Sequence, residues 1–250
     1  MKIIIISLFC FFSLHSSQAQ MDWTLGIYMR QSVSNTLAKG KLMELKTDFH
    51  YGFSNGVCLL GAFLERSNEV SINYSMKGGV MYAFIGGGDE DVTDLDITIQ
   101  DETGKILKKD DATDNNPVVE FEPYKTATYR ITLKLFNTHS KNSFCSIVFL
   151  QENAQSIPID NLGQALGKLY AYGSLVNQKR SVKFLDLEQQ WCLYGMVLAE
   201  GSAETVRNIN LGEDEHRMIA AGDEKCTDID ICLLDSATQL DLKCDSDNDA

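Results

Sequence analysis

Gly88-Asp89-Glu90-Asp91-Val92-Thr93-Asp94-Leu95-Asp96-Ile97 is the stretch that decides the fold. Leu95, Ile97 and Ile99 alternate with Asp94, Asp96 and Thr98. A period of two places one set inward and the other in water, as on a β-strand. The stretch also occurs twice. With Cys58 laid on Cys192, Gly88-Asp89-Glu90 falls on Gly222-Asp223-Glu224, and Thr93-Asp94-Leu95-Asp96-Ile97 falls on Thr227-Asp228-Ile229-Asp230-Ile231. The same ungapped register matches Leu59 with Leu193, Gly61 with Gly195, Leu64 with Leu198, Asp101 with Asp235 and Lys109 with Lys243. Self-similarity at a fixed offset argues for two copies of one unit. The first copy runs on through Pro117 to Phe121 and Thr128 to Leu133, which have no counterpart before Ala250. The second copy is therefore expected to lack its closing strands.

Working outward, Val57 to Leu64, Val70 to Tyr74 and Val80 to Ile85 are short runs rich in β-branched and aromatic residues. Tyr129, Ile131, Leu133 and Leu135, then Cys145, Ile147 and Phe149, repeat the period of two. Turn signals separate the runs at Lys77-Gly78-Gly79, Gly86-Gly87-Gly88, Glu102-Thr103-Gly104 and Asn115-Asn116-Pro117. Short strands at regular spacing predict a mainly β protein, a jelly-roll-like antiparallel β-sandwich, repeated. A helical segment is expected before each copy. Asn161 to Lys179 places Leu162, Leu166, Leu169, Tyr170 and Leu175 roughly on one face, and Trp23 to Met43 is its counterpart. Such helices are expected to be packing elements or linkers. The organisation read from this is a signal at 1–19, a helical segment at 20–55, a first sandwich at 56–152, a helical linker at 153–189 and an incomplete second repeat at 190–250.

Lys2, the apolar run from Ile3 to Phe12 and Ser17-Gln18-Ala19 form the three parts of a cleaved secretory signal. The apolar run falls short of the roughly 20 residues needed to cross a bilayer, and no other segment is long and apolar enough to span. The expected location is secreted or periplasmic. The net charge of −13 argues against nucleic acid and anionic membranes as partners. Six cysteines follow the signal: Cys58, Cys145, Cys192, Cys226, Cys232 and Cys244. An even number in an exported chain permits disulfides. Cys58 and Cys145 lie in the first and last strands of the first copy and are the disulfide candidates. Cys192, Cys226, Cys232 and Cys244 allow three connectivities, and the sequence does not choose.

The acidic segment resembles the bacterial pre-peptidase C-terminal domain. The residues that carry the likeness are Asp89-Glu90-Asp91, Asp94-Leu95-Asp96-Ile97, Asp101 and Gly104, followed by Phe121 and Thr128-Tyr129-Arg130-Ile131. It covers about Val57 to Gln151 and again Cys192 onward. Ala127 stands where the family has Gly before its Thr-Tyr pair, and Thr238 replaces the Gly of the second copy. The resemblance implies a jelly-roll-like accessory or binding module of secreted enzymes, some of whose relatives bind calcium.

Clustered carboxylates suit Ca²⁺, which takes six to eight oxygens in flexible geometry. The candidate ligands are Asp89, Glu90, Asp91, Asp94 and Asp96, and in the second copy Asp223, Glu224, Asp228 and Asp230. The competing reading is a solvated acidic edge whose Asp side chains cap turns. No catalytic set is recognised. The nucleophile elbow and the HExxH zinc motif are missing, and His50, His139 and His216 lie in polar contexts without a nucleophile nearby. Gly86-Gly87-Gly88 leads into acids and a strand, which is wrong for a phosphate cradle. The expectation is a non-catalytic module that binds protein or glycan, with calcium as the one cofactor in view. The alternatives are an assembly protein whose second repeat a partner chain completes, and a remnant of a larger secreted enzyme.

Overall fold

The structure, a computed structural model, describes residues 26–51, 56–180, 190–207, 209–211, 213 and 215–245. The signal segment lies outside the described residues. Helix α1 is Ile27–Lys46 and α2 is Ile159–Arg180. The strands are β1 Phe49–His50, β2 Val57–Glu65, β3 Glu69–Met76, β4 Tyr82–Gly88, β5 Val92–Gln100, β6 Ile106–Asp110, β7 Val118–Phe121, β8 Ala127–Thr138, β9 Asn142–Glu152, β10 Trp191–Met196, β11 Ile231–Leu234 and β12 Asp241–Asp245. All pairings are antiparallel. One sheet has the order β10-β2-β9-β4-β7, with β1 also on β9; the second has the order β3-β8-β5-β6; β11 and β12 form a separate hairpin. The chain is thus mainly β, as its alternating runs predict.

The two larger sheets face each other across an apolar core. Tyr74 of β3 meets Phe149 of β9 edge to face at 5.0 Å, and Phe149 meets Phe84 of β4 at 5.2 Å. Ile97, Ile99, Ile131, Leu133 and Leu135 fill the second sheet's inner face, all fully buried. Burying one such side chain stabilises by about 1.5–3 kcal/mol relative to leaving it in water.

Strand β9 departs from simple alternation. Cys145, Ile147 and Phe149 are buried as expected, but so are Phe144, Ser146, Val148 and Leu150. The reason is α1, which covers the sheet's outer face. Its buried stripe is Met29, Ser32, Val33, Thr36, Leu37 and Gly40, a helical spacing that includes small and polar side chains. Those side chains find partners in the sheet. Ser32 Oγ lies 2.8 Å from Ser146 Oγ and donates to the Gly87 carbonyl at 2.9 Å. Thr36 Oγ1 lies 2.7 Å from Ser146 Oγ. Asn35 and Lys39 donate to the carbonyls of Gly88 and Gly86. The carbonyls of Gly86, Gly87 and Gly88 thus receive the helix, and Gly87, where a Cβ would strike Thr36, is the glycine that the helix's close approach requires.

The candidate Cys58–Cys145 disulfide, which the sequence left open against two buried thiols, does not form. Their strands do pair, but Cys145 lies opposite Ala62, four positions along β2 from Cys58. At about 3.3 Å per residue the offset is roughly 13 Å, well beyond the ~7 Å that a disulfide spans. Both are buried free thiols. The bond present is Cys232–Cys244, across the β11–β12 ladder.

A Cβ at Gly87 would collide with Thr36 Oγ1, which is fixed by the Ser32 carbonyl and Ser146. Gly87→Ala is expected to lift α1 from the sheet and lower stability by about 1–3 kcal/mol. Urea unfolding checks this, and an unchanged midpoint would show that α1 is dispensable to the sandwich.

Candidate functional site

The acidic segment is divided by the fold rather than gathered into one face. Asp89 is 1% exposed. Its Oδ2 accepts the Phe144 N–H at 2.7 Å and its Oδ1 accepts the Asp91 N–H at 3.1 Å. Burial pushes its carboxyl up to about 6, against the downward pull of those hydrogen bonds. Asp89 thus ties the β4–β5 turn to the start of β9. Glu90 is exposed and rims a shallow depression with Ile27, Arg30 and Asn35. The Asp91 carbonyl accepts Thr138 Oγ1 at 3.0 Å. Asp94 is buried, and its Oδ1 has no hydrogen-bond partner among the described residues. Burial raises the carboxyl of Asp94 and, further out on the strand, that of Asp96; Asp114 adds to the first and Asp94 to the second.

In the second acidic segment, Asp223 Oδ1 accepts the N–H groups of Lys225 at 2.9 Å and Cys226 at 3.1 Å. Glu224, Asp228 and Asp230 are exposed. Among the described residues, no three of the nine candidate carboxylates bring their oxygens within ligand distance of one another. The group that does converge is Cys232, Asp241 and Cys244, and its two sulfurs are joined to each other.

Unpaired strand edges in the second copy are expected from the sequence; the pairing of its first strand with β2, which makes that strand a sheet edge, is not legible there. β10 adds to β2 with Trp191 opposite Ala62, Leu193 opposite Gly61, Tyr194 opposite Leu60 and Gly195 opposite Leu59. Trp191 Nε1 donates to the Ser71 carbonyl of β3 at 3.0 Å, linking the edge to the facing sheet. Cys58 Sγ lies 3.7 Å from the Gly195 carbonyl and Cys192 Sγ 3.1 Å from the Gly61 carbonyl. Burial holds the Cys58 thiol at about 12 and raises those of Cys145 and Cys192. These thiols are therefore protonated packing groups rather than nucleophiles. β2 has a neighbour on each side; β10 has β2 as its one sheet neighbour among the described residues. The signal for this pairing is the Cys-Leu-x-Gly quartet shared by β2 and β10, which the repeat alignment contains.

No family model matches the chain, and no curated protein matches it. Solved structures with some likeness include a periplasmic inhibitor of g-type lysozyme, PliG of Aeromonas hydrophila. It is 9% identical, with a TM-score of 0.30, and the match covers 41% of this chain and 96% of that one. PirA is 14% identical over 36% of this chain and 92% of its own, with a TM-score of 0.25. A structure of accessory secretory proteins 1, 2 and 3 of Streptococcus pneumoniae is 17% identical over 42% and 95%, with a TM-score of 0.24. At such TM-scores these likenesses carry no argument.

The raised Asp89 carboxyl has a consequence with a definite sign. Between about pH 4 and 6 the folded chain holds a proton there that the unfolded chain has released. That stability is complete below pH 4 and is lost as the pH rises through about 6. Relative to Asp89→Asn, which stays neutral, the wild type should lose on the order of 2–3 kcal/mol between pH 4 and pH 7. Paired urea titrations at the two pH values measure this difference. A constant gap would mean that Asp89 ionises as an exposed carboxylate does.

Proposed function

We propose that this chain is an exported, non-catalytic accessory module that binds another protein along a sheet edge. The observation that carries the reading is β10, a six-residue strand held in its sheet through β2 alone among the described residues. The faces of that sheet are already used, one by the second sheet and the other by α1. Hydrogen-bonding capacity remains at the edge, and strand addition is the recognition mode that an edge supports. The Cys232–Cys244 bond suits an oxidising compartment. No helix among the described residues is long and apolar enough to cross a membrane.

The reading requires the chain after β10 to be open while the first sandwich is closed. Hydrogen exchange followed by mass spectrometry tests this. Amides of β2, β4 and β9 should open only with global unfolding, whereas residues 197–230 should exchange at least about a hundredfold faster. Uniform protection of 197–230 at the level of β9 would mean that the edge is already covered, and the reading would be wrong.

A further inference from the structure

We propose that the outer edge of β2 is a homotypic interface, which takes β2 of a second copy of this chain about a two-fold axis at Leu60 when β10 leaves it. This surface is separate from the free edge of β10 and does not depend on what adds there. The observation that carries it is the register of the β2–β10 ladder. Under the offset that lays Cys58 on Cys192, Trp191 is the counterpart of Val57, Leu193 of Leu59, Tyr194 of Leu60, Gly195 of Gly61 and Met196 of Ala62. Trp191 faces Ala62, and Met196 faces Val57. Leu193 faces Gly61, and Gly195 faces Leu59. Leu60 faces Tyr194, its own counterpart. One rotation therefore exchanges every pair with another pair or with itself. Two antiparallel strands can meet in many registers, and few of them centre on a residue and its counterpart.

The departures from regularity obey the same rotation. The ladder shifts between Trp191 and Leu193, which leaves Cys192 without an opposite residue. It shifts again between Gly195 and Met196, where β2 steps from Leu59 to Val57 and leaves Cys58 without one. Each strand thus bulges at its cysteine. Cys58 Sγ lies 3.7 Å from the Gly195 carbonyl, and Cys192 Sγ lies 3.1 Å from the Gly61 carbonyl. A Cβ on Gly195 would lie 2.8 Å from Leu59 Cβ, and one on Gly61 would lie 3.2 Å from Leu193 Cβ. Bulges, thiol contacts and close approaches all occur twice, once from each strand. That is the geometry of an isologous interface, in which the same patch serves on both partners.

β2 consequently holds in its own sequence what it meets in β10: a cysteine at the bulge, a leucine after it and a glycine two residues further on. With β2 of a second copy in place of β10, each Cys58 reaches the Gly61 carbonyl across the axis, each Leu59 covers Gly61, and Leu60 meets Leu60. The edge brings no like charges together, because Val57 to Leu64 is uncharged. Nearly every residue of that run is buried. Left uncovered, β2 is a long apolar edge of the kind that pairs with another chain.

One feature of β10 has no equal in β2. Trp191 is buried and its Nε1 donates to the Ser71 carbonyl of β3 at 3.0 Å, whereas its counterpart Val57 has no donor to offer. Trp191 therefore favours β10 over a second β2. The tether favours it too, since it presents β10 at an effective concentration on the order of millimolar. β10 is the internal stand-in for a second copy, and Trp191 is the latch that keeps the chain monomeric.

The test uses the full chain with Trp191→Ala and Gly195→Val, which remove the anchor and drive a Cβ into Leu59. The wild type is expected to sediment as a monomer at micromolar concentration. The variant is expected to form a dimer with a Kd at least about a hundredfold lower. Leu60→Cys added to the variant places two thiols on the axis and should give an interchain disulfide under mild oxidation. Leu59→Cys, which would face Gly61 of the other copy, should not. Hydrogen exchange of β9 reports whether the first sandwich is intact. A variant that keeps β9 protected as in the wild type and stays monomeric overturns the proposal. So does a dimer that cross-links through Leu59→Cys as readily as through Leu60→Cys. Should β9 lose its protection, Leu60→Cys in the otherwise wild-type chain at millimolar concentration decides: an interchain bond at residue 60 supports the interface, and its absence overturns it.

Discussion

Strand β9 is paired by β2 on one edge and by β4 on the other, lined by the second sheet on its inner face and covered by α1 on its outer face. Ser146 sits at its middle and receives the helix through Ser32 and Thr36. Phe144, at its start, is held from both sides by Asp89, whose carboxylate accepts the Phe144 N–H and whose N–H donates to the Phe144 carbonyl. Buried backbone and side-chain polar groups must be paired, and around this strand they are paired by several elements at once. Removing β9 would leave β4 paired with β7 alone, take Ser146 from both Ser32 and Thr36, and cost the buried Asp89 one of its two backbone donors. The first sandwich is consequently organised around its last strand, whose partners all come from earlier in the chain.

This dependence explains which parts of the fold were legible in the sequence. β5 and β8 each bury one face against the core, so their apolar residues alternate with Asp, Thr, Arg and Lys, and the period of two is plain. β9 is buried on both faces, and only part of its pattern reads as alternation. α1 was the least legible element. A helix that docks on a glycine run buries Ser32, Thr36 and Gly40, and this weakens the apolar periodicity from which helices are recognised. Its short polar side chains are there because the distance to the sheet is short, a property of the pair that neither segment declares alone.

The candidate residues divide in the same way. The Asp-rich segments were visible as a motif, but composition cannot tell a carboxylate that faces water from one that closes a turn beneath a strand. Asp89 does the second, and Asp223 repeats its turn, so the repetition of these acids reports architecture at least as much as ligand chemistry. The cysteines mislead for a related reason. Cys58 and Cys145 are in neighbouring strands, yet register decides bonding, and a displacement of four residues is decisive. Cys232 and Cys244 met because a hairpin turn fixes their register locally.

An open sheet edge is ordinarily a hazard, since unpaired strands invite indiscriminate pairing. β10 is short, and its register shifts at both ends of the ladder, between Trp191 and Leu193 and between Gly195 and Met196. Such irregularities twist and blunt an edge. Trp191 further anchors it to the facing sheet, so the strand cannot swing freely to meet any neighbour. A long, flat, apolar edge would bind anything extended. A short and irregular one, tied down at Trp191, sets conditions of length and register at once. The features that keep the edge from aggregating are thereby the same ones that would make it selective.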